Sequence, residues 1–197
     1  MNSGDPAGKK EVFREITEEL IELKNTSELM IDLAYSALLL NSVELAEEVE
    51  MLEEKMDSLH TDFELRILSS DFKPEEAKEF LGLIRIGSVT ERIADAAEKI
   101  SSLVLRGLKS HPVMNLVIEE AEETVLRAEV SENSPLVGKT IKEARIDERT
   151  GMWILAIRRN NRWIRPKSTT KIEAGDVLIA SGYAEGEEDF LHLVSGS

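Results

Sequence analysis

A single change of period divides this chain. Up to Val104 the apolar residues recur at alternating intervals of three and four, and beyond Thr124 they gather in short runs broken by Gly, Pro and Asn. The first pattern is that of helices burying one stripe, and the second that of strands joined by tight turns. One chain carrying both must fold as two units, an all-α antiparallel helical bundle followed by a small α+β domain.

The helical part reads as three long helices. The first, from about Lys9 to Leu40, has its seam at Phe13, Ile16, Leu20, Leu23, Ser27, Met30, Ala34 and Ala37. Asn41 is placed to cap the second, with Glu44 three residues on completing a capping box, and the seam continues through Leu45, Val49, Leu52, Met56, Leu59 and Phe63. Pro74 suits the first turn of the third, with Glu75 and Glu76 against the positive end of its dipole. The seam expected there is Leu83, Ile86, Thr90, Ile93, Ala97, Ile100 and Val104. The expected limits are a frayed tail over 1–8, the bundle over 9–108, a linker helix opened by Pro112 over 109–123, and the second domain over 124–197.

Two features exceed what a bundle needs. Glu28 with Asp32, and Glu91 with Asp95, form Glu-x-x-x-Asp pairs on the first and third helices, where two carboxylates share one face. The spacing suits a shared cation, but in an acidic chain, at positions that normally face solvent, a solvated acidic face is the plainer reading. The third helix also carries a stripe of small residues, Gly87, Ser88, Ala94, Asp95, Ser101 and Ser102, that admits another helix backbone. The end of the first helix is apolar on several sides, with Leu29, Ile31, Leu33, Leu38, Leu39 and Leu40 outside the seam. A second packing surface is expected there, most simply a homodimer.

In the second domain, strands are expected near 124–130, 152–159 and 177–180, with a hairpin turn at Asn160-Asn161, where Asn accepts positive φ. Short helices are expected near 141–144 and 185–194. Charge is uneven here. The chain has a formal net charge of −15, yet between Lys139 and Lys171 ten basic residues face three acidic ones. Arg158, Arg159, Arg162, Arg165 and Lys167 are the candidates for gripping a small anionic ligand, since an arginine fork matches phosphate. The alternative is that this basic hairpin simply pairs with the acidic bundle.

Three motifs give the second domain a likeness. Ser134-Pro135-Leu136-Val137-Gly138-Lys139-Thr140-Ile141, Gly151-Met152-Trp153-Ile154-Leu155-Ala156-Ile157-Arg158-Arg159 and Ala174-Gly175-Asp176-Val177-Leu178-Ile179-Ala180-Ser181-Gly182 resemble, in that order, the C-terminal regulatory domain of TrkA-type potassium-uptake proteins. The run Glu44 to Val49 and Val89-Thr90-Glu91-Arg92-Ile93-Ala94-Asp95 resemble one three-helix repeat of the PhoU family. That family usually carries two repeats, and in it Glu-x-x-x-Asp motifs hold metal clusters on the bundle. The resemblance implies a divalent or trivalent metal ion at Glu28, Asp32, Glu91 and Asp95, and a regulator that acts on a membrane potassium transporter or channel subunit. It also implies a small ligand such as a nucleotide, because some proteins with the TrkA-type domain bind cyclic dinucleotides. The other reading it opens is a metal-binding adaptor in phosphate-uptake signalling.

Other classes find little support. A net charge of −15 is wrong for a nucleic-acid binder, and without cysteine there is neither disulfide nor thiolate site. No apolar run nears the roughly 20 residues that cross a bilayer, so the expectation is a cytoplasmic protein, peripheral at the inner membrane through a transporter partner. His60, His111 and His192 stand apart, Gly138-Lys139-Thr140 lacks the rest of a phosphate loop, and the Gly-rich dinucleotide fingerprint is missing. No enzyme is expected.

Overall fold

The computed structural model describes residues 6–107 and 123–196. Three long helices, α1 (Pro6–Leu40), α2 (Val43–Ser69) and α3 (Ala77–Leu105), each contact the other two. The second unit comprises β1 (Glu123–Glu129), α4 (Ile141–Ala144), α5 (Ile146–Thr150), β2 (Met152–Arg159), β3 (Arg162–Ile164), β4 (Val177–Tyr183) and α6 (Glu187–Ser195). Apart from Glu123, which opens β1, the linker helix expected over 109–123 lies outside the described residues.

Local chemistry explains the helix ends. α1 begins at Pro6, earlier than the expected Lys9, because proline fixes φ and needs no N–H in a first turn. The cap between α1 and α2 also differs from the expectation. Ser42 is the N-cap, its hydroxyl accepting from the Leu45 N–H at 3.4 Å, while Asn41 takes φ 47° and closes α1. Asn accepts the left-handed region cheaply, so it ends one helix and the next residue starts the other.

The α1 seam is largely as expected, with Ile16, Leu23, Ser27, Met30, Ala34 and Ala37 buried and Phe13 left exposed against Phe80. In α3 the seam is rotated. Phe80, Gly87, Ala94 and Ser101, seven residues apart, are buried with Ala97 and Val104, whereas Ile86 and Ile93 face outward. The reason is volume. A Cβ built on Gly87 would stand 2.7 Å from Cε1 of the fully buried Phe63 ring, so α3 lies close because that position has no side chain. The small-residue stripe does admit a neighbouring helix, and that neighbour belongs to the same bundle.

The sheet is antiparallel in the order β1-β4-β2-β3. Asn160 and Asn161 both take positive φ and close the β2–β3 hairpin as expected. Period-two alternation gives the sheet two apolar faces. Leu126, Ala128, Ile157, Leu178 and Ala180 join Leu136, Ile146, Phe190 and Val194 in a core of the second domain's own. The opposite face presents Ala156, Trp163 and Ile179, flanked by Val125, Leu155 and Val177.

That opposite face lies on the bundle. Ala156, Trp163 and Ile179 belong to one contiguous core with Leu29, Leu33 and the helical seam, and α1 touches both β1 and β2. A register shift between Ile154 and Ala156 lets Leu155 and Ala156 both turn to this side. The apolar end of α1, expected to meet a second copy of the chain, is thus covered within the chain. Leu29 and Leu33 are buried, Ile31, Leu38 and Leu40 half-buried, and Leu39 faces outward.

Candidate functional site

The joint between the two units is where the charged residues meet. Cross-strand pairing puts Arg127 opposite Ile179 and Arg158 opposite both Val177 and Trp163, so these arginines share the face that lies on the bundle. Both reach one carboxylate on α2. Arg127 Nη1 lies 2.9 Å from Glu44 Oε2 and Arg158 Nη1 2.5 Å from Glu44 Oε1. Arg165, just after β3, pairs with Glu28 of α1, whose Oε2 also takes Lys24 Nζ at 2.7 Å.

Residues selected from the sequence for two different ligands therefore hold each other. Arg158 and Arg165 were candidates for an anion and Glu28 for a cation, and each is partnered across the joint. Glu44 and Arg127 escaped the sequence reading. Glu44 looked like a capping residue, and Arg127 is an isolated cation on a strand, 83 positions from its partner.

Asp32, four residues beyond Glu28, is half-buried at this joint. Burial raises its pKa from 3.8 to about 6, with Arg165 pulling it down and Glu28 pushing it up. Burial likewise raises Glu48 on α2, against the opposing charge of Arg158. A carboxyl whose folded value exceeds its unfolded one costs stability that is absent below pH 3.8 and grows as pH rises through about 6. Asp32→Asn is expected to stabilise the chain at pH 7.5 by about 1 kcal/mol, a partial share of the shift because the group is only half-buried. The gain should vanish below about pH 4, as urea unfolding at the two pH values will show.

The other candidates lie elsewhere. Arg159 is a clamp inside the second domain. Its Nε donates to Asp176 Oδ1 at 2.8 Å, Nη2 to Asp176 Oδ2 at 2.6 Å and to the Lys171 carbonyl at 2.7 Å, and Nη1 to Glu173 Oε1 at 2.7 Å. Arg162 and Lys167 are exposed and pair with no carboxylate among the described residues.

Glu91 and Asp95 occupy a different neighbourhood from Glu28 and Asp32. Asp95 Oδ2 stands 3.6 Å from Lys99 Nζ, and with Asp57, Glu98 and Glu91 it acts on Glu53, whose pKa is raised by burial first and by these acids next. The metal that the PhoU likeness implies needs several oxygen ligands around one point. Among the described residues no three His, Asp or Glu side chains are so grouped, and Glu28 is already engaged by Lys24 and Arg165.

Comparison with known proteins divides the chain as the fold does. Residues 20–104 match the family model of the PhoU domain and residues 125–195 that of the TrkA-C domain. An uncharacterized transporter of Synechocystis sp. is 34% identical over 77 residues, which cover 39% of this chain and 12% of that protein. Among solved structures, the RCK C domain of the potassium transport protein KtrA in complex with cyclic diadenosine monophosphate is 25% identical, covering 42% of this chain and 95% of that one, with a TM-score of 0.33. The RCK_C domain dimer of S. agalactiae BusR in complex with the same nucleotide is 29% identical, covering 35% and 96%, with a TM-score of 0.32.

Proposed function

We propose that this chain, in which a PhoU domain is followed by a TrkA-C domain, is a non-enzymatic regulator of potassium or other cation transport. In this reading the TrkA-C domain binds a small anionic ligand, and the contact between the domains carries that event to a membrane transporter or channel subunit at the cytoplasmic face. Among the described residues no helix is long and apolar enough to cross a membrane, and in this reading a membrane partner supplies the pore.

The observation that carries this reading is the composition of the joint. A sheet face anchored by Trp163 and Ile179 is buried on the bundle, and Arg127, Arg158 and Arg165 ring it with pairs to Glu44 and Glu28. Apolar burial gives one arrangement its stability. The arginine pairs are exchangeable, because the same guanidinium groups grip phosphate. A ligand that prefers one arrangement over the other shifts the population between them. Two copies associate in this proposal through the outward row Ile86, Val89 and Ile93 of α3, which is exposed and spaced at three and four residues.

Calorimetric titration of the purified full chain with cyclic dinucleotides, NAD and ATP tests the ligand, and potassium uptake by cells with and without the chain tests the role. Saturable binding of one nucleotide class and a changed uptake rate are expected. Absence of both contradicts the proposal.

A further inference from the structure

The joint also contains a cleft beside the Trp163 and Arg165 contacts. It measures about 240 Å³ and is bounded by Asn25 and Thr26 of α1, Lys55 of α2, and Trp163, Arg165 and Lys167 of the second domain. We infer that this cleft binds a small oxyanion, of the size of inorganic phosphate or a small phosphomonoester, held by both domains at once. The inference rests on the proposed sensing role only for its regulatory consequence, since binding is tested on the purified chain.

Uncommitted donors carry the argument. Thr26 is 6% exposed, yet its hydroxyl has no hydrogen-bond partner among the described residues, where a threonine inside a helix ordinarily bonds a carbonyl of the preceding turn. The Asn25 amide and the Trp163 indole N–H also find no partner among the described residues, and Trp163 too is 6% exposed. Lys167 pairs with no carboxylate there either. Among the described residues the buried side-chain polar atoms without a partner are Glu19 Oε2 and His60 Nε2, so the Thr26, Asn25 and Trp163 donors open on the cleft, where one acceptor can meet several of them at once.

The charge of the cleft selects the sign of that molecule. Lys55 Nζ is 2.7 Å from Glu22 Oε1, and Arg165 is paired with Glu28, so the carboxylates at the rim are already neutralised and Lys167 is in excess. Hydroxyl, amide, indole, ammonium and guanidinium groups share one property: each can donate. A compact acceptor with several oxygens suits them, and a metal ion does not. Size sets the rest. Clefts that take drug-sized ligands run to about 300–1,000 Å³, so this one suits a phosphate rather than a dinucleotide. Because the walls come from both domains, such an ion binds the joined arrangement in preference to a separated one.

The test is calorimetry and thermal unfolding of the full chain with inorganic phosphate and, separately, glycerol 3-phosphate, with chloride and acetate at matched ionic strength. Saturable binding of either phosphate, with a rise in melting temperature absent from the chloride and acetate arms, is expected. Lys167→Ala and Thr26→Val should each weaken it at least tenfold, and Arg85→Ala, which removes an exposed cation of α3 outside the cleft, should leave it unchanged. The Lys167 side chain lies at the surface, so that variant keeps its fold, as its melting temperature without anion will show. No saturable binding, an equal response to acetate, or an equal loss in Arg85→Ala overturns the inference. Nucleotide binding with no response to either phosphate overturns this cleft while leaving the proposed function intact.

Discussion

Arg159→Met is expected to destabilise the chain by about 3–5 kcal/mol, with the loss visible as a lower urea midpoint of the second domain. The carboxylate of Asp176 is 1% exposed and receives two hydrogen bonds from the Arg159 guanidinium, which also caps the Lys171 carbonyl and meets Glu173. Without the arginine, a buried charge keeps only the Glu173 N–H, 2.9 Å from its Oδ2. The loss should be non-additive. Arg159→Met with Asp176→Asn is expected to be more stable than Arg159→Met alone, because the amide keeps that acceptor without the orphaned charge. An Arg159 that served only to bind ligand would lose affinity on substitution and keep its stability.

Gly186→Ala is expected to cost about 3 kcal/mol or more. A Cβ there would stand 1.7 Å from the Thr150 carbonyl oxygen and 2.9 Å from its carbonyl carbon, both backbone atoms. Thr150 has no freedom to retreat, since its hydroxyl donates to the Ile146 carbonyl at 2.7 Å and accepts from the Met152 N–H at 3.1 Å. The same replacement at Gly82 within α3, where no atom lies within 4 Å of the added Cβ, is expected to stabilise by about 1 kcal/mol through helix propensity. Opposite signs for one chemical change, read from urea midpoints, separate close approach from backbone preference.

The two-unit plan was legible because periodicity is a local property. Intervals of three and four marked α1 and α2, and Gly, Pro and paired Asn marked the turns of the sheet. In α3 the same rule misplaced the face. Ile86 and Ile93 outweighed Gly87 and Ala94 on hydrophobicity, while packing against Phe63 selected the smaller residues by volume. The individual partners across the joint were not legible. Arg127 and Glu44 are 83 positions apart, and Arg165 and Glu28 are 137 apart. No local rule assigns such partners. What the composition did hold was the choice itself: a basic hairpin either grips a ligand or pairs with the acidic bundle. For Arg158 and Arg165 the fold takes the second course, while Lys167 pairs with no carboxylate among the described residues.

The account depends on the sheet face around Trp163 lying on the bundle, and the two tryptophans offer a direct test. Trp153 is 51% exposed and Trp163 is 6% exposed, so Trp153→Phe leaves Trp163 as the only indole in the chain. Acrylamide quenching of that variant is predicted to be weak with blue-shifted emission, and to strengthen when Glu44→Lys and Glu28→Lys remove the arginine pairs. Strong quenching of Trp163 in the unaltered joint, equal to that of an exposed indole, would contradict the account.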